Sequence, residues 1–214
     1  MNQKELKKWL SQLRYPLIAF DMEWDRYSIP AYEGLRPMDV LPFAYSLCIQ
    51  NQDKKLREKW FLSKEDGRRK LIESLLKEVP KKGTILTFNM LGAEKLRLLE
   101  LGKQFPEYQK PLKEIMDRMV DVQIPFQQGV VYHQGMRGSW SLKAIMAVLD
   151  PSAYGKLVVK NGLEEVELWR KWSKETKANQ ANLLKKQLVS YSRMDSLALI
   201  RIIDWLLALA DGKC

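Results

Sequence analysis

Hydrophobic positions in this chain fall into blocks whose spacing changes along its length. In MNQKELKKWLSQL, Leu6, Trp9, Leu10 and Leu13 recur at steps of three and four, which predicts an amphipathic helix over residues 1–14. PLIAFDME, LPFAYSLCI and REKWFL follow as apolar runs of strand length, with the polar NQDKK as the turn before the third. KEDGRRKLIESLLKEV returns to helical spacing, with Leu71, Leu75 and Val79 on one face and Pro80 ending it. After KKG, TILTFN predicts a short strand, AEKLRLLELGKQF and KPLKEIMDRM two helices, and MVDV another short strand. SLKAIMAVL is a helix entered from the loop HQGMRGS, and the chain reads as helical from about residue 162 to its end. There is no internal repeat and no low-complexity linker.

Three consecutive strands, then alternating helices and strands, then a helical finish predict one α/β domain over residues 1–214. The expected architecture is a mixed sheet with an antiparallel three-strand meander, flanked by helices. Residues 162–214 form its helical C-terminal part. A ribonuclease H-like fold has this order of elements, and other α/β folds share parts of it.

Within this pattern two carboxylates stand out. Side chains alternate along a strand, so Asp21 and Glu23 of FDMEWD point to the same side. Two carboxylates that close repel and raise each other's pKa unless a cation lies between them, and Mg²⁺ or Mn²⁺ suits such oxygen donors. The alternative is the solvated end of an edge strand. The last helix adds a third acid. Leu184, Leu188, Tyr191, Asp195, Ala198, Ile202 and Leu206 follow steps of three and four and form one inward stripe, with Asp195 in its middle. A buried aspartate without a partner costs several kcal/mol or becomes neutral. Its partner is either a metal shared with Asp21 and Glu23, or a buried arginine or capping backbone group. Tyr191 lies one turn before Asp195 on the same face. It is placed either to orient or help deprotonate a metal-bound water, or to pack as a core aromatic with its hydroxyl at the rim.

Composition narrows the setting. Hydrophobic residues make up 46% and charged residues 29%, as in a globular protein. The net charge of +10, from 36 basic and 26 acidic residues, attracts polyanions such as nucleic acid, although many bacterial proteins are basic without binding it. No signal peptide is expected, because no apolar stretch follows the lysine-rich N-terminus. IIDWLLALA is too short to span a bilayer. Cys48 and Cys214 make neither a disulfide framework nor a zinc site, which fits a reducing cytoplasmic location.

The D-x-E at Asp21 and Glu23, an acidic residue after the fourth strand, and Y-x-x-x-D at Tyr191 and Asp195 resemble the three motifs of DEDD-type 3′–5′ exonucleases in their tyrosine variant. EGLRPMDVLPFAYS, RGSWSLKAI and NGLEEVELWRKW are similar to stretches of an uncharacterised bacterial branch of that superfamily. The resemblance runs from about Leu17 to Leu206. It departs in the middle motif. TFNMLGAEKLRLL offers Asn89 and then Glu94, glutamate where aspartate is usual and one residue further along. Glu94 also opens a helix, where the dipole favours a carboxylate by itself. Asp121 matches an aspartate with a structural role in the superfamily, and Trp24 stands where threonine is common.

The resemblance implies a two-metal phosphodiesterase that removes mononucleotides from the 3′ end of DNA or RNA. Asp21 would bridge two Mg²⁺ or Mn²⁺ ions, Glu23 and Asp195 would hold one, Glu94 would act through a metal or water, and Tyr191 would position the attacking water. Trp24 would stack on a terminal base or merely pack, and Asn89 would lie at the substrate. Lys143, in the first turn after GSWS, would grip a backbone phosphate or sit as a surface lysine behind an ordinary N-cap. His133 reads as a loop residue, and Trp169 and Trp172 as helix packing. Two other functions fit these features: a catalytically weak or inactive nucleic-acid-binding module, and a two-metal phosphohydrolase without 3′ polarity.

Overall fold

The computed structural model describes residues 1–213; Cys214 lies outside them. Strands β1 (Leu17–Arg26), β2 (Val40–Gln50) and β3 (Leu56–Leu62) form the expected antiparallel meander. Strands β4 (Thr84–Thr87) and β5 (Met119–Asp121) then add in parallel to the free side of β1, giving the order β3-β2-β1-β4-β5. The chain is therefore α/β with a five-stranded mixed sheet.

Strand alternation divides the core in two. Ile18, Phe20 and Met22 pack with Tyr45 and Leu47 against α2 (Arg68–Glu78), α3 (Glu94–Gln104) and α4 (Gln109–Met116). On the opposite face Leu17, Ala19 and Cys48 pack with α1 (Gln3–Leu10), the short α5 (Ile124–Gln127), α6 (Leu142–Leu149) and α8 (Ala178–Ala210). Each of the Leu, Ile, Phe and Met side chains contributes about 1.5–3 kcal/mol when buried, and a one-residue slip would invert all of them, so the register of β1 is strongly specified. That parity puts Asp21 and Glu23 on the face covered by α8. A smaller cluster joins Leu41 and Phe43 to Trp169 and Trp172 of α7 (Gly162–Lys174).

Several boundaries differ from the sequence expectation. The first helix stops at Leu10, where Ser11 caps it and Leu13 packs as a loop residue. The second begins only at Arg68, because Gly67 is its N-cap. The helical C-terminal part is two helices, broken at residues 175–177. Strand β1 continues past its carboxylates to Arg26, with a register shift between Glu23 and Trp24. The stripe expected on the last helix is buried along its whole length, from Leu184 through Asp195 to Leu206. Ser46 of β2 ties that helix to the sheet, its hydroxyl donating to the Ser192 carbonyl at 2.6 Å. Among the described residues no helix is long and apolar enough to cross a membrane.

Candidate functional site

Asp21 and Glu23 leave β1 on the side where α8 presents Asp195, and one oxygen from each of the three lies within 4.8 Å of the others. Two unit charges about 4 Å apart repel by roughly 4 kcal/mol at the effective dielectric near a protein surface. Three carboxylates at this spacing hold one another toward the neutral form unless a cation lies among them. Burial, followed by the charges of Glu23 and Asp195, pushes Asp21 well above the usual carboxylate range. Burial and the neighbouring Glu165 do the same to Glu23. Asp195 is also raised by burial, against the opposing pull of the Tyr154 hydrogen bond and the Lys143 ammonium. Asp21 Oδ2 is buried and has no hydrogen-bond partner.

Asp195 does have a partner within the protein, but it is neither an arginine nor a capping backbone group. The Tyr154 hydroxyl donates to Asp195 Oδ1 at 2.5 Å, and Tyr191 is a second phenol facing the same carboxylate. Lys143 donates through Nζ to Tyr191 Oη at 2.9 Å and to the Lys160 carbonyl, and its ammonium lies over the rings of Tyr191 and Tyr154 at 4.8 and 5.3 Å. Lys143 is thus half-buried against the site rather than a free surface lysine, while Ser141 supplies the N-cap of α6. Burial first, and the charge of Asp195 second, raise both phenols, so each stays protonated at neutral pH and acts as a donor.

Two further acids flank the trio. Glu94, the first residue of α3, is 4% exposed and is pushed up to about 8 by burial, with Asp121 adding to the shift. Its Oε2 is buried without a partner. Glu94 is not a member of the group that converges within 4.8 Å, yet its charge adds to the shifts of both Asp21 and Glu23. Glu165, in the first turn of α7, is fully buried; its Oε1 accepts from Ser192 Oγ at 2.9 Å and its Oε2 has no partner. Its proximity raises Glu23, and burial raises Glu165 itself to about 8.

Sequence reasoning missed Glu165 and Tyr154. Glu165 carried a readable signal: with Trp169 and Trp172 it makes an inward stripe at steps of four and three, the same pattern that singled out Asp195. Tyr154 lies in an irregular turn after α6 and had no periodicity to mark it.

The remaining candidates lie around this centre. Trp24 is half-buried, with the Arg97 guanidinium over its ring at 4.9 Å. Asn89 is exposed, in the left-handed region at φ 55°. Its backbone N–H and those of Met90 and Gln123 donate to the Asp121 carboxylate at 3.1, 2.8 and 2.9 Å, so Asp121 organises the β4–α3 turn. His133 is exposed and its Nδ1 accepts from the Gly135 N–H. Trp169 and Trp172 are buried, Trp169 stacked on Phe43 at 4.5 Å.

A family model described as a domain of unknown function, DUF2779, matches residues 18–141. The chain belongs to that family. The DUF2779 match takes in all of the sheet but Leu17, together with Asp21, Glu23 and Glu94. It ends ahead of Lys143, Tyr154, Glu165, Tyr191 and Asp195, which complete the centre from α6 to α8. No curated protein and no solved structure matches the chain.

Proposed function

We propose that this DUF2779 protein is a metal-dependent 3′–5′ exonuclease that hydrolyses phosphodiester bonds of DNA or RNA. The observation carrying this reading is the convergence of Asp21, Glu23 and Asp195 within 4.8 Å, with Asp21 Oδ2 buried and unpartnered. The orphaned Oε2 atoms of Glu94 and Glu165 extend the same deficit of positive charge. An all-oxygen donor set of this charge fits Mg²⁺ or Mn²⁺. Asp21, Glu23 and Asp195 would hold the ions, with Glu94 beside them. Bound there, divalent cations supply an activated water and neutralise charge on the phosphoryl oxygens.

The chain's own groups have distinct parts in that reaction. Tyr191, kept neutral, offers an O–H to orient the attacking water, and Tyr154 fixes the rotamer of Asp195. Lys143 brings an ammonium to the same edge, where it can meet a non-bridging phosphate oxygen. We read the order β3-β2-β1-β4-β5, with its antiparallel meander and α8 against β1 and β2, as ribonuclease H-like, and that reading supports the assignment. The 3′ polarity rests on the likeness of the motifs to the DEDD superfamily.

The direct test uses single strands labelled at the 5′ or 3′ end, with and without Mn²⁺. A ladder growing from the 3′ end, absent in Asp21→Asn and Asp195→Asn, is the expected result. A second reading, a nucleic-acid-binding module with weak or no catalysis, is favoured by Glu94 lying outside the converging trio. Binding without cleavage under every divalent metal would establish it in place of the first.

A further inference from the structure

A cavity of about 810 Å³ opens at the C-terminal end of β1. Arg26, Tyr27 and Tyr32 wall one side, Lys64 another, and Arg170 and Lys174 from the last turns of α7 a third. Its place relative to the carboxylates follows from how α7 runs beside β1. Asp25, two residues beyond Glu23 on β1, is clasped by Arg170 of α7 at 2.8 and 2.6 Å. The cavity therefore lies next along the seam that carries the acidic centre.

The charge of this cavity is opposite to that of the centre. Arg170 is neutralised by buried Asp25, and Arg26 shares Glu100 with Arg97 at 3.7 and 3.1 Å. Lys64 donates only to the Glu175 carbonyl, at 2.8 Å, and lies over the Trp172 ring. Exposed Lys174 is in no ion pair among the described residues. Glu65 is the one acid on the lining. Lys64 and Lys174, which are in no ion pair among the described residues, give a polyanion an attractive approach beside the acidic centre. The volume exceeds what a lone phosphate needs, and two tyrosine rings interleaved with cations suit unstacked nucleotides.

We infer that this cavity binds the sugar-phosphate backbone of a single nucleic-acid strand whose end lies at the carboxylates. The inference rests on the nuclease reading and adds to it the path of the substrate. The test measures binding of a labelled single-stranded oligonucleotide in EDTA, by anisotropy, across a salt series. Removing one lysine that neutralises a phosphate lowers the slope of log K against log salt by about 0.7 for single strands, so Lys64→Ala with Lys174→Ala should lower it by about 1.4. Lys174→Glu alone, at an exposed and unpaired position, gives the same direction if the double variant folds poorly. Lys110→Ala, on α4 across the sheet, should leave the slope unchanged. A slope unaffected by the cavity variants, or equally affected by Lys110→Ala, overturns the cavity as the strand's path. The nuclease reading is judged separately, by loss of the ladder in Asp21→Asn.

Discussion

Tyr154 and Asp195 are 41 positions apart in the chain, and the phenol of the first donates to Oδ1 of the second at 2.5 Å. This hydrogen bond holds one oxygen of a buried carboxylate and so sets which way the other faces. Partners of this kind behind a metal ligand are typically worth about 10–100-fold in metal affinity. Tyr154→Phe is therefore expected to keep the fold and to weaken Mn²⁺ binding by about that factor, read by calorimetric titration. Equal affinity in the two proteins would show that the hydroxyl has no hold on the site.

Tyr191 calls for a different signature. Its hydroxyl accepts from Lys143 and, being kept protonated by burial, acts as a donor toward the site. Removing a single well-placed donor costs about 10²–10³ in turnover. Tyr191→Phe should lose that much phosphodiester cleavage while Mn²⁺ affinity falls less than in Tyr154→Phe. The pH–rate profile should keep its shape, because the phenol does not titrate near neutrality. Loss in the variant of the limb along which the rate rises with pH would instead make Tyr191 a base.

The buried acids make metal-free stability fall with pH. Glu94 and Glu165 titrate at about 8 in the folded chain, against the ordinary value of 4.5. Between those values the folded state holds more protons than the unfolded state, so the stability present below about 4.5 is lost as pH rises through about 8. In EDTA, Tm should drop between about pH 5 and pH 8. On the proposed metal reading Mn²⁺ would take the deprotonated form, so any Tm gain it produces should grow over the same interval. A scanning-calorimetry series in which metal-free Tm climbs toward pH 8 would contradict this assignment of the carboxyls.

Glu165→Gln separates stability from cation binding. The substitution keeps the acceptor for Ser192 Oγ and removes a carboxylate set against Glu23. Without metal the variant should melt higher, by about 2–4 °C for each kcal/mol relieved in a domain of this size. Its Mn²⁺ affinity should fall. A lower metal-free Tm would mean that the buried carboxyl of Glu165 stabilises the fold rather than straining it.

Arg170 bears on the fold rather than on chemistry. Its guanidinium makes a two-pronged contact with Asp25, which is 4% exposed, while Arg170 itself is half in solvent. Charged hydrogen bonds are worth about 1.5–3 kcal/mol, so Arg170→Ala should cost roughly that in a urea titration. Asp25→Asn together with Arg170→Ala should recover part of the loss.

Local periodicity was enough for much of this molecule. Alternation along β1 put Asp21 and Glu23 on one side, and steps of three and four on α8 put Tyr191 and Asp195 on its buried stripe. These are properties of a short stretch of backbone, since pleat and helical pitch decide which side chains face inward. What local spacing does not contain is which buried faces meet. The return of α8 over β1 brings Asp195 to Asp21, the course of α7 along β1 brings Glu165 to Glu23, and an irregular turn delivers Tyr154 to Asp195. Lys143, readable on its own as a surface lysine, becomes part of the centre only because α6 packs on α8. Those meetings join residues tens to more than a hundred positions apart and depend on chain reversals and on two apolar cores closing against opposite sides of one sheet. The sequence alone thus determined the elements and their inward faces, while the tertiary structure decided that three carboxylates converge, with two more acids, two phenols and one ammonium around them.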